Sequence, residues 1–261
     1  MTPFRLPVVF LAVAAATLAG AAEPGAITVA AAANLRGALD EVIAGFKAKN
    51  VGADVKANYG ASGTFFAQIQ NGAPFDVFLS AEESMPQKLV ASGKADGSSF
   101  TYAFGKLVLW VPKGSKLDIE KLGAKALLDP GVKHIAVGNP SVAPYGVAAE
   151  SVLKATGVYE ALKSKIVFGE NIQQAAQFAA TGNAEAAFLP LSLVVVPPLS
   201  IEGRHTLISS RDYEPIVQAG VVLKGSAQPA VASAFVAYLL GPEGRTVLEK
   251  YGYGLPGLAK E

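Results

Sequence analysis

Cysteine is absent from all 261 residues of this chain. The sequence can therefore form no disulfide, no thiolate metal site and no catalytic thiol, and it offers no cysteine to carry a lipid at a processed N-terminus. Histidine is nearly as scarce. His134 and His205 are the only two histidines, and their separation is not that of paired metal ligands.

The chain also lacks an excess of charge of either sign, since its formal net charge is +1 at pH 7. Binding to a nucleic-acid backbone needs a clustered basic face. The lysines here are scattered instead, as at Lys113, Lys116, Lys121 and Lys125, which is typical of a solvated surface. We therefore expect no nucleic-acid partner.

A short apolar run near the start is typical of a targeting segment. Arg5 precedes the apolar residues 8–16, and Ala19-Gly20-Ala21 follows as a small-x-small cleavage site. The run is too short for a comfortable membrane span, although a retained anchor is the alternative. We predict that residues 1–22 are a cleaved signal peptide and that the protein is periplasmic, neither lipid-anchored nor membrane-embedded.

Strands and helices alternate along the remaining part of the chain. Residues 27–30 form a short segment rich in β-branched side chains, which is typical of a strand. Apolar residues then recur at Leu39, Val42, Ile43 and Phe46, which is the spacing of one helix face. The same succession repeats several times. It predicts an α/β fold with parallel-type sheets flanked by helices.

The order of the strands suggests two lobes. Residues 107–111 form a long apolar run whose mate arrives only at residues 218–223, and a second α/β set lies between them. We expect residues 23–104 and 214–261 to form lobe 1 and residues 105–213 to form lobe 2. A ligand cleft would lie between the lobes, beyond the carboxyl ends of the strands.

Four segments lie where a strand ends and a helix begins, namely residues 31–34, 60–64, 139–146 and 169–172. Helix N-termini carry unpaired N–H groups and a partial positive charge. Several of them converging on one point would hold an anion without lysine or arginine.

Each candidate donor in these segments also has a simpler explanation. Asn34 and Ser62 could cap their helices, although small neighbours would let a ligand approach the backbone closely. The Tyr145 phenol could donate to an oxyanion or pack on the cleft rim. Ile172 would contribute its backbone N–H.

Catalytic motifs fit less well. Ser151 and Lys154 match an S-x-x-K pattern, but they lie inside a predicted helix without the partner motifs of serine acyl-enzymes. Residues 60–63 lack the spacing of a nucleophile elbow, and no P-loop follows Gly60. We therefore predict a binding protein and not an enzyme.

Several segments in order resemble the periplasmic molybdate-binding proteins of ABC importers. The resemblance covers essentially the whole mature chain, and it is carried by residues 27–35, 60–64, 72–81, 138–140, 144–146, 169–172, 241–245 and 251–253.

The resemblance implies a two-lobe class II binding-protein fold and a receptor that delivers molybdate, or tungstate, to an ABC import permease. It implies no cofactor. The metal oxyanion would be held through its oxygens by Asn34 with the Ala33 backbone, by Ser62, by Tyr145 and by Ile172. Residues 188–190 read Phe-Leu-Pro where many members have a tyrosine, so a fifth donor stays open. We expect a monomer. The alternatives are a receptor for another oxyanion such as sulfate, and an exported hydrolase that uses Ser62.

Overall fold

The computed structural model describes residues 25–257, so the predicted signal peptide lies outside the described residues. Ten strands lie within residues 25–257: β1 Ala26–Ala32, β2 Asp54–Gly60, β3 Val77–Ser80, β4 Phe100–Gly105, β5 Leu107–Pro112, β6 Ile135–Gly138, β7 Ile166–Gly169, β8 Ala186–Pro190, β9 Gly203–Leu207 and β10 Ile216–Val222.

Eleven α-helices lie within the same part of the chain: α1 Arg36–Lys49, α2 Ser62–Gln70, α3 Ser84–Ala91, α4 Ile119–Leu122, α5 Pro144–Ala155, α6 Tyr159–Leu162, α7 Ile172–Ala180, α8 Leu191–Val194, α9 Leu199–Glu202, α10 Pro229–Leu240 and α11 Pro242–Lys250. None of these helices is long and apolar enough to cross a membrane.

The strands form two five-stranded sheets with the same plan. The first has the order β2-β1-β3-β10-β4 and the second the order β7-β6-β8-β5-β9. In each sheet the first three strands are parallel, and the fourth runs antiparallel to both of its neighbours. The fold is thus α/β with helix-flanked sheets, as predicted, but the sheets are mixed.

The predicted pairing of residues 107–111 with 218–223 is wrong. These segments belong to β5 and β10, which lie in different sheets at equivalent positions. Lys106 alone separates β4 from β5, so the chain steps directly from one sheet into the other. Parallel neighbours need a crossover of a dozen or more residues. Strands β5 and β10 each enter their sheet from the other sheet without a crossover connection of this length, and each pairs antiparallel with its neighbours.

Alternating side chains of β1 supply two separate layers of the first core. Ile27 and Val29 pack with α1, α10 and α11 on one face, whereas Ala30 packs with Phe65 and Phe78 on the other. The second sheet is buried in the same way on both faces, because β5 and β8 are apolar along their length. Both sheets are therefore rigid platforms for the loops at their strand ends.

Candidate functional site

The four predicted segments meet around one cavity. Its lining residues come from both sheets: Ala32, Ala33, Asn34, Gly60, Ala61, Ser62, Ala81, Ala143, Pro144, Tyr145 and Ile172. All five predicted ligand residues are thus brought together. Their positions follow from the strand ends of β1, β2, β6 and β7, which precede the lining loops.

A larger and more open groove lies next to this cavity. It is lined by Gly63, Thr64, Ala67, Gln68, Asn71, Gly72, Ala73 and Val142, and most of these residues are exposed to solvent. Hydrogen bonds made there compete with water and are weak. The smaller, buried cavity is the stronger candidate for tight binding of a small ligand.

Ser62 is the first residue of α2 and is only 1% exposed. Its hydroxyl does not cap the helix. The Ser62 Oγ instead accepts a hydrogen bond of 3.0 Å from the backbone N–H of Ala81, which follows β3. Because this bond uses an acceptor lone pair, the hydroxyl proton stays available to a ligand.

Asn34 also does not cap a helix. It lies in a short 3-10 turn, Ala33–Leu35, and the N-cap residue of α1 is Leu35. The Asn34 Nδ2 donates to Gln218 Oε1 at 3.0 Å and to the Tyr253 hydroxyl at 2.8 Å. Among the described residues, Asn34 Oδ1 is the one buried side-chain polar atom without a partner.

Tyr145 is the second residue of α5, and its ring is 2% exposed. The phenol oxygen accepts a hydrogen bond of 2.9 Å from Gln218 Nε2. Burial raises the pKa of the Tyr145 phenol well above its ordinary value, so the group is neutral. The backbone N–H of Tyr145 lies in the first helical turn, where intrahelical acceptors are lacking.

Ile172 is the first residue of α7, at the position that the sequence predicts. The preceding Asn171 caps this helix, since its Oδ1 accepts from the N–H groups of Gln173 at 3.0 Å and Gln174 at 3.1 Å. The cap leaves the N–H of Ile172 unused. The N–H of Ile172 is therefore a backbone donor at the edge of the cavity.

The electrostatics of the cavity come from backbone and not from charged side chains. None of its lining residues is Lys, Arg, Asp or Glu. The N-termini of α2, α5 and α7 reach it, and each carries a partial positive charge. The lining therefore offers an anion partial positive charge and no carboxylate to repel it.

Direct contacts join the two sheet units beside the cavity. The Gly63 N–H donates to Val142 O at 3.0 Å, and Arg36 Nε donates to Gln173 Oε1 at 2.8 Å. The bond from Gln218 to Tyr145 crosses between the units inside the protein. The structure is therefore closed over the cavity.

Three residues of this region were not predicted as part of the site: Gln218, Tyr102 and Tyr253. Gln218 is fully buried in β10. It is the one polar side chain in that otherwise apolar strand, which was a usable signal. The tyrosines lie 116 and 35 residues from Gln218, so only the fold shows that they meet.

The catalytic alternatives gain nothing from the structure. Ser151 Oγ donates to Val147 O within α5, and Ser62 Oγ is bonded to a backbone amide and not to a base. Within residues 25–257 no group of three His, Asp or Glu side chains is placed to hold a metal ion.

The family model described as Bacterial extracellular solute-binding protein matches residues 27–254. The chain belongs to this family. Among relatives of this solute-binding protein, the Molybdate-binding protein ModA of Azotobacter vinelandii is 44% identical over 97% of this chain and 99% of the relative. The protein of the same name from Rhodobacter capsulatus is 42% identical over 97% of this chain and 99% of its own length. The resemblance inferred from the sequence motifs is confirmed.

Solved structures agree with this family assignment. The periplasmic molybdate-binding protein of Azotobacter vinelandii superposes with a TM-score of 0.82 at 39% identity, covering 88% of this chain and 99% of its own. A sulfate-binding protein, SubI of Mycobacterium tuberculosis, reaches a TM-score of 0.71 at 17% identity, covering 89% and 87%. The latter similarity concerns the fold alone.

Proposed function

We propose that this solute-binding protein is a periplasmic receptor that captures molybdate, and tungstate equally well, and delivers it to an ABC import permease. The observation that carries the proposal is the buried cavity at which three helix N-termini meet without a charged side chain. We choose molybdate as the oxyanion because the relatives at 44% and 42% identity are named molybdate-binding proteins.

The donor set combines side chains with backbone. Ser62 donates its hydroxyl proton, Tyr145 and Ile172 donate backbone N–H groups, and Asn34 together with the Ala33 backbone completes the set. Support comes from the shared cavity, and from the Ser62 hydroxyl proton and the Ile172 N–H, which the protein itself leaves unused. Donors from both sheet units then hold one tetrahedral ion.

The lobes that close on the ion are residues 23–104 with 214–261 and residues 105–213. The division is supported by the two sheets, since β1–β4 and β10 make up one and β5–β9 the other. The ion favours the closed arrangement because it contacts both lobes. Chain crossings at Lys106 and between β9 and β10 serve as the hinge.

The protein acts as a soluble monomer in the periplasm. Residues 1–22 are its cleaved signal, and the absence of cysteine leaves no site for a lipid at the processed end. It is a receptor and not an enzyme, because Ser62 lacks a base and the family consists of solute-binding proteins. A nucleic acid is not among its partners.

Selectivity among oxyanions follows because the proposed site donates hydrogen bonds but has no carboxylate to accept one. Phosphate near neutral pH carries a proton, and a buried O–H without an acceptor costs about 1–3 kcal/mol, or roughly 5- to 150-fold in affinity. Sulfate carries no proton but is smaller, so hydrogen bonds from donors fixed on two closed lobes are stretched and weakened. Molybdate and tungstate, which are nearly equal in size, bind alike.

Calorimetric titration of the mature protein with molybdate, tungstate, sulfate and phosphate tests the proposal. We expect tight 1:1 binding of the first two and binding at least tenfold weaker for the others. Sulfate or phosphate within tenfold of molybdate would make the protein a general oxyanion receptor. Turnover of generic esters that Ser62→Ala abolishes would favour the hydrolase.

A further inference from the structure

Five buried side chains form one continuous hydrogen-bonded chain beneath the cavity. Gln218 lies at its centre. Its Oε1 accepts from Asn34 Nδ2 and from the Tyr102 hydroxyl, both at 3.0 Å, and its Nε2 donates to the Tyr145 hydroxyl at 2.9 Å. Asn34 Nδ2 also donates to the Tyr253 hydroxyl at 2.8 Å, which adds Tyr253 to the hydrogen-bonded series. All five are at most 4% exposed, so each proton must find a partner within the protein.

The protons of this arrangement do not match the acceptors. Tyr102 has a single hydroxyl proton, yet it faces two acceptors, Ser80 O at 2.9 Å and Gln218 Oε1 at 3.0 Å. The Tyr145 hydroxyl accepts from Gln218, and no acceptor among the described residues takes its own proton. Asn34 Oδ1 receives no proton at all. Buried groups left unpaired in this way are costly.

Rotating two side-chain amides by 180° removes all three mismatches without moving a neighbour, because the N and O ends of an amide have nearly the same shape. Gln218 Nε2 then donates to the Tyr102 oxygen and to Asn34 Oδ1, while Tyr102 keeps its bond to Ser80 O. Gln218 Oε1 receives the proton of Tyr145.

The other neighbours of Asn34 also remain satisfied after the rotation. Tyr253 can turn its proton from Asn34 O to Asn34 Oδ1. The Asn34 carbonyl oxygen keeps the bond of 3.0 Å from Ser192 Oγ. The two N–H groups of Asn34 Nδ2 then have no acceptor in the protein, because they take the place of the unpartnered Oδ1. An anion in the cavity that Asn34 lines would be their acceptor.

We propose that Gln218 is a positioning residue that holds the Asn34 amide with its N–H groups toward the cavity, before and after ligand binding. The inference rests on the proposed oxyanion function. In this role Gln218 does not contact the ligand itself. It orients the ligand residue Asn34 on one lobe and Tyr145 on the other.

The orientation of Asn34 also decides which anions are accepted. If Oδ1 faced the cavity, it would repel a fully ionised oxyanion and would accept the proton of hydrogen phosphate. With Nδ2 facing the cavity, every cavity-directed group is a donor, so molybdate is favoured and hydrogen phosphate lacks an acceptor. Gln218 is thus a determinant of specificity.

Nuclear Overhauser effects from side-chain amide protons test the orientation directly, in the free protein and with saturating molybdate. The proposal predicts that the Gln218 NH₂ protons lie near the Tyr102 ring and that the Asn34 NH₂ protons lie away from the Tyr253 ring. Effects joining Gln218 NH₂ to the Tyr145 ring and Asn34 NH₂ to the Tyr253 ring would overturn it. The free-protein spectrum gives this answer whether or not molybdate binds.

The specificity role is tested with Gln218→Met, which keeps the length of the side chain but removes its hydrogen bonds. The matched control is Gln87→Met, at an exposed position on α3. We expect the ratio of molybdate to phosphate affinity to fall at least tenfold in Gln218→Met only, because the Asn34 amide is then free to turn. A merely structural role would lower the melting temperature and leave the ratio unchanged, which would refute the proposal.

The outcomes for the two proposals are separate. Wild-type protein that ignores molybdate contradicts the proposed function. Wild-type protein that binds molybdate while Gln218→Met keeps the same anion ratio contradicts only the role of Gln218. If Gln218→Met does not fold, the amide contacts in the wild-type spectrum decide the question.

Discussion

Replacing Ser62 with alanine removes one oxygen that serves two purposes. The Ser62 Oγ accepts from the buried N–H of Ala81 at 3.0 Å, and its proton is available to the anion. The substitution therefore affects both the folded protein and the complex. The two effects have different sizes and are measured separately.

The effect on binding is the loss of one hydrogen bond to a charged group. Such bonds contribute about 1.5–3 kcal/mol, so the dissociation constant for molybdate should rise roughly 10- to 150-fold. The effect on stability comes from Ala81, whose buried N–H loses its acceptor at a cost of about 1–3 kcal/mol. In a domain of this size, each kcal/mol lowers the melting temperature by about 2–4 °C.

Calorimetry of the purified Ser62→Ala variant, well below its melting temperature, separates these contributions. Ser151→Ala is the matched control, because the Ser151 hydroxyl bonds only to Val147 O within α5 and lies outside the cavity. The control should bind molybdate like the wild type. A Ser62→Ala variant that melts earlier but binds molybdate with wild-type affinity would show that Ser62 supports the fold and is not a ligand.

Three further predictions concern the surroundings of the cavity. Gly105→Ala should weaken molybdate binding in calorimetry and lower the melting temperature, since a Cβ there would overlap the Tyr145 hydroxyl and lie 2.7 Å from the end of the Gln218 side-chain amide; an unchanged variant would contradict the packing. Saturating molybdate should slow hydrogen exchange at residues 102–106 and 212–218, and at 1,000 times its dissociation constant it should stabilise the fold by about 4 kcal/mol; unaltered exchange and melting would refute closure. Affinity should stay flat between pH 6 and 8, because burial raises the pKa of the Tyr145 phenol and keeps it neutral throughout; a slope in calorimetry across this range would mean that an unassigned group titrates.

The sequence predicted most local elements because their signals are local. The apolar spacing of Leu39, Val42 and Phe46 predicted the buried face of α1, and all three are buried there. The helix beginning at Ile172 was also predicted correctly. Strand β9, by contrast, was missed, because residues 203–207 are polar and partly exposed and show no regular alternation.

Pairings between distant segments could not be predicted in the same way. The nearly continuous apolar runs of β5 and β10 indicate that both are buried strands, but they do not say which sheet each one joins. The partners of Asn34 are 184 and 219 residues away in sequence. Helix capping was a reasonable alternative for Asn34 and for Ser62 taken singly, and only the fold shows that their side chains bond elsewhere.

A crystal structure of the molybdate complex, with the molybdenum located by its anomalous scattering, tests the central claim most directly. We predict one anomalous peak in the cavity, with oxyanion oxygens within hydrogen-bond distance of Ser62 Oγ, Asn34 Nδ2 and the N–H groups of Tyr145 and Ile172. A peak outside this cavity, or oxygens held by lysine or arginine side chains, would contradict the account.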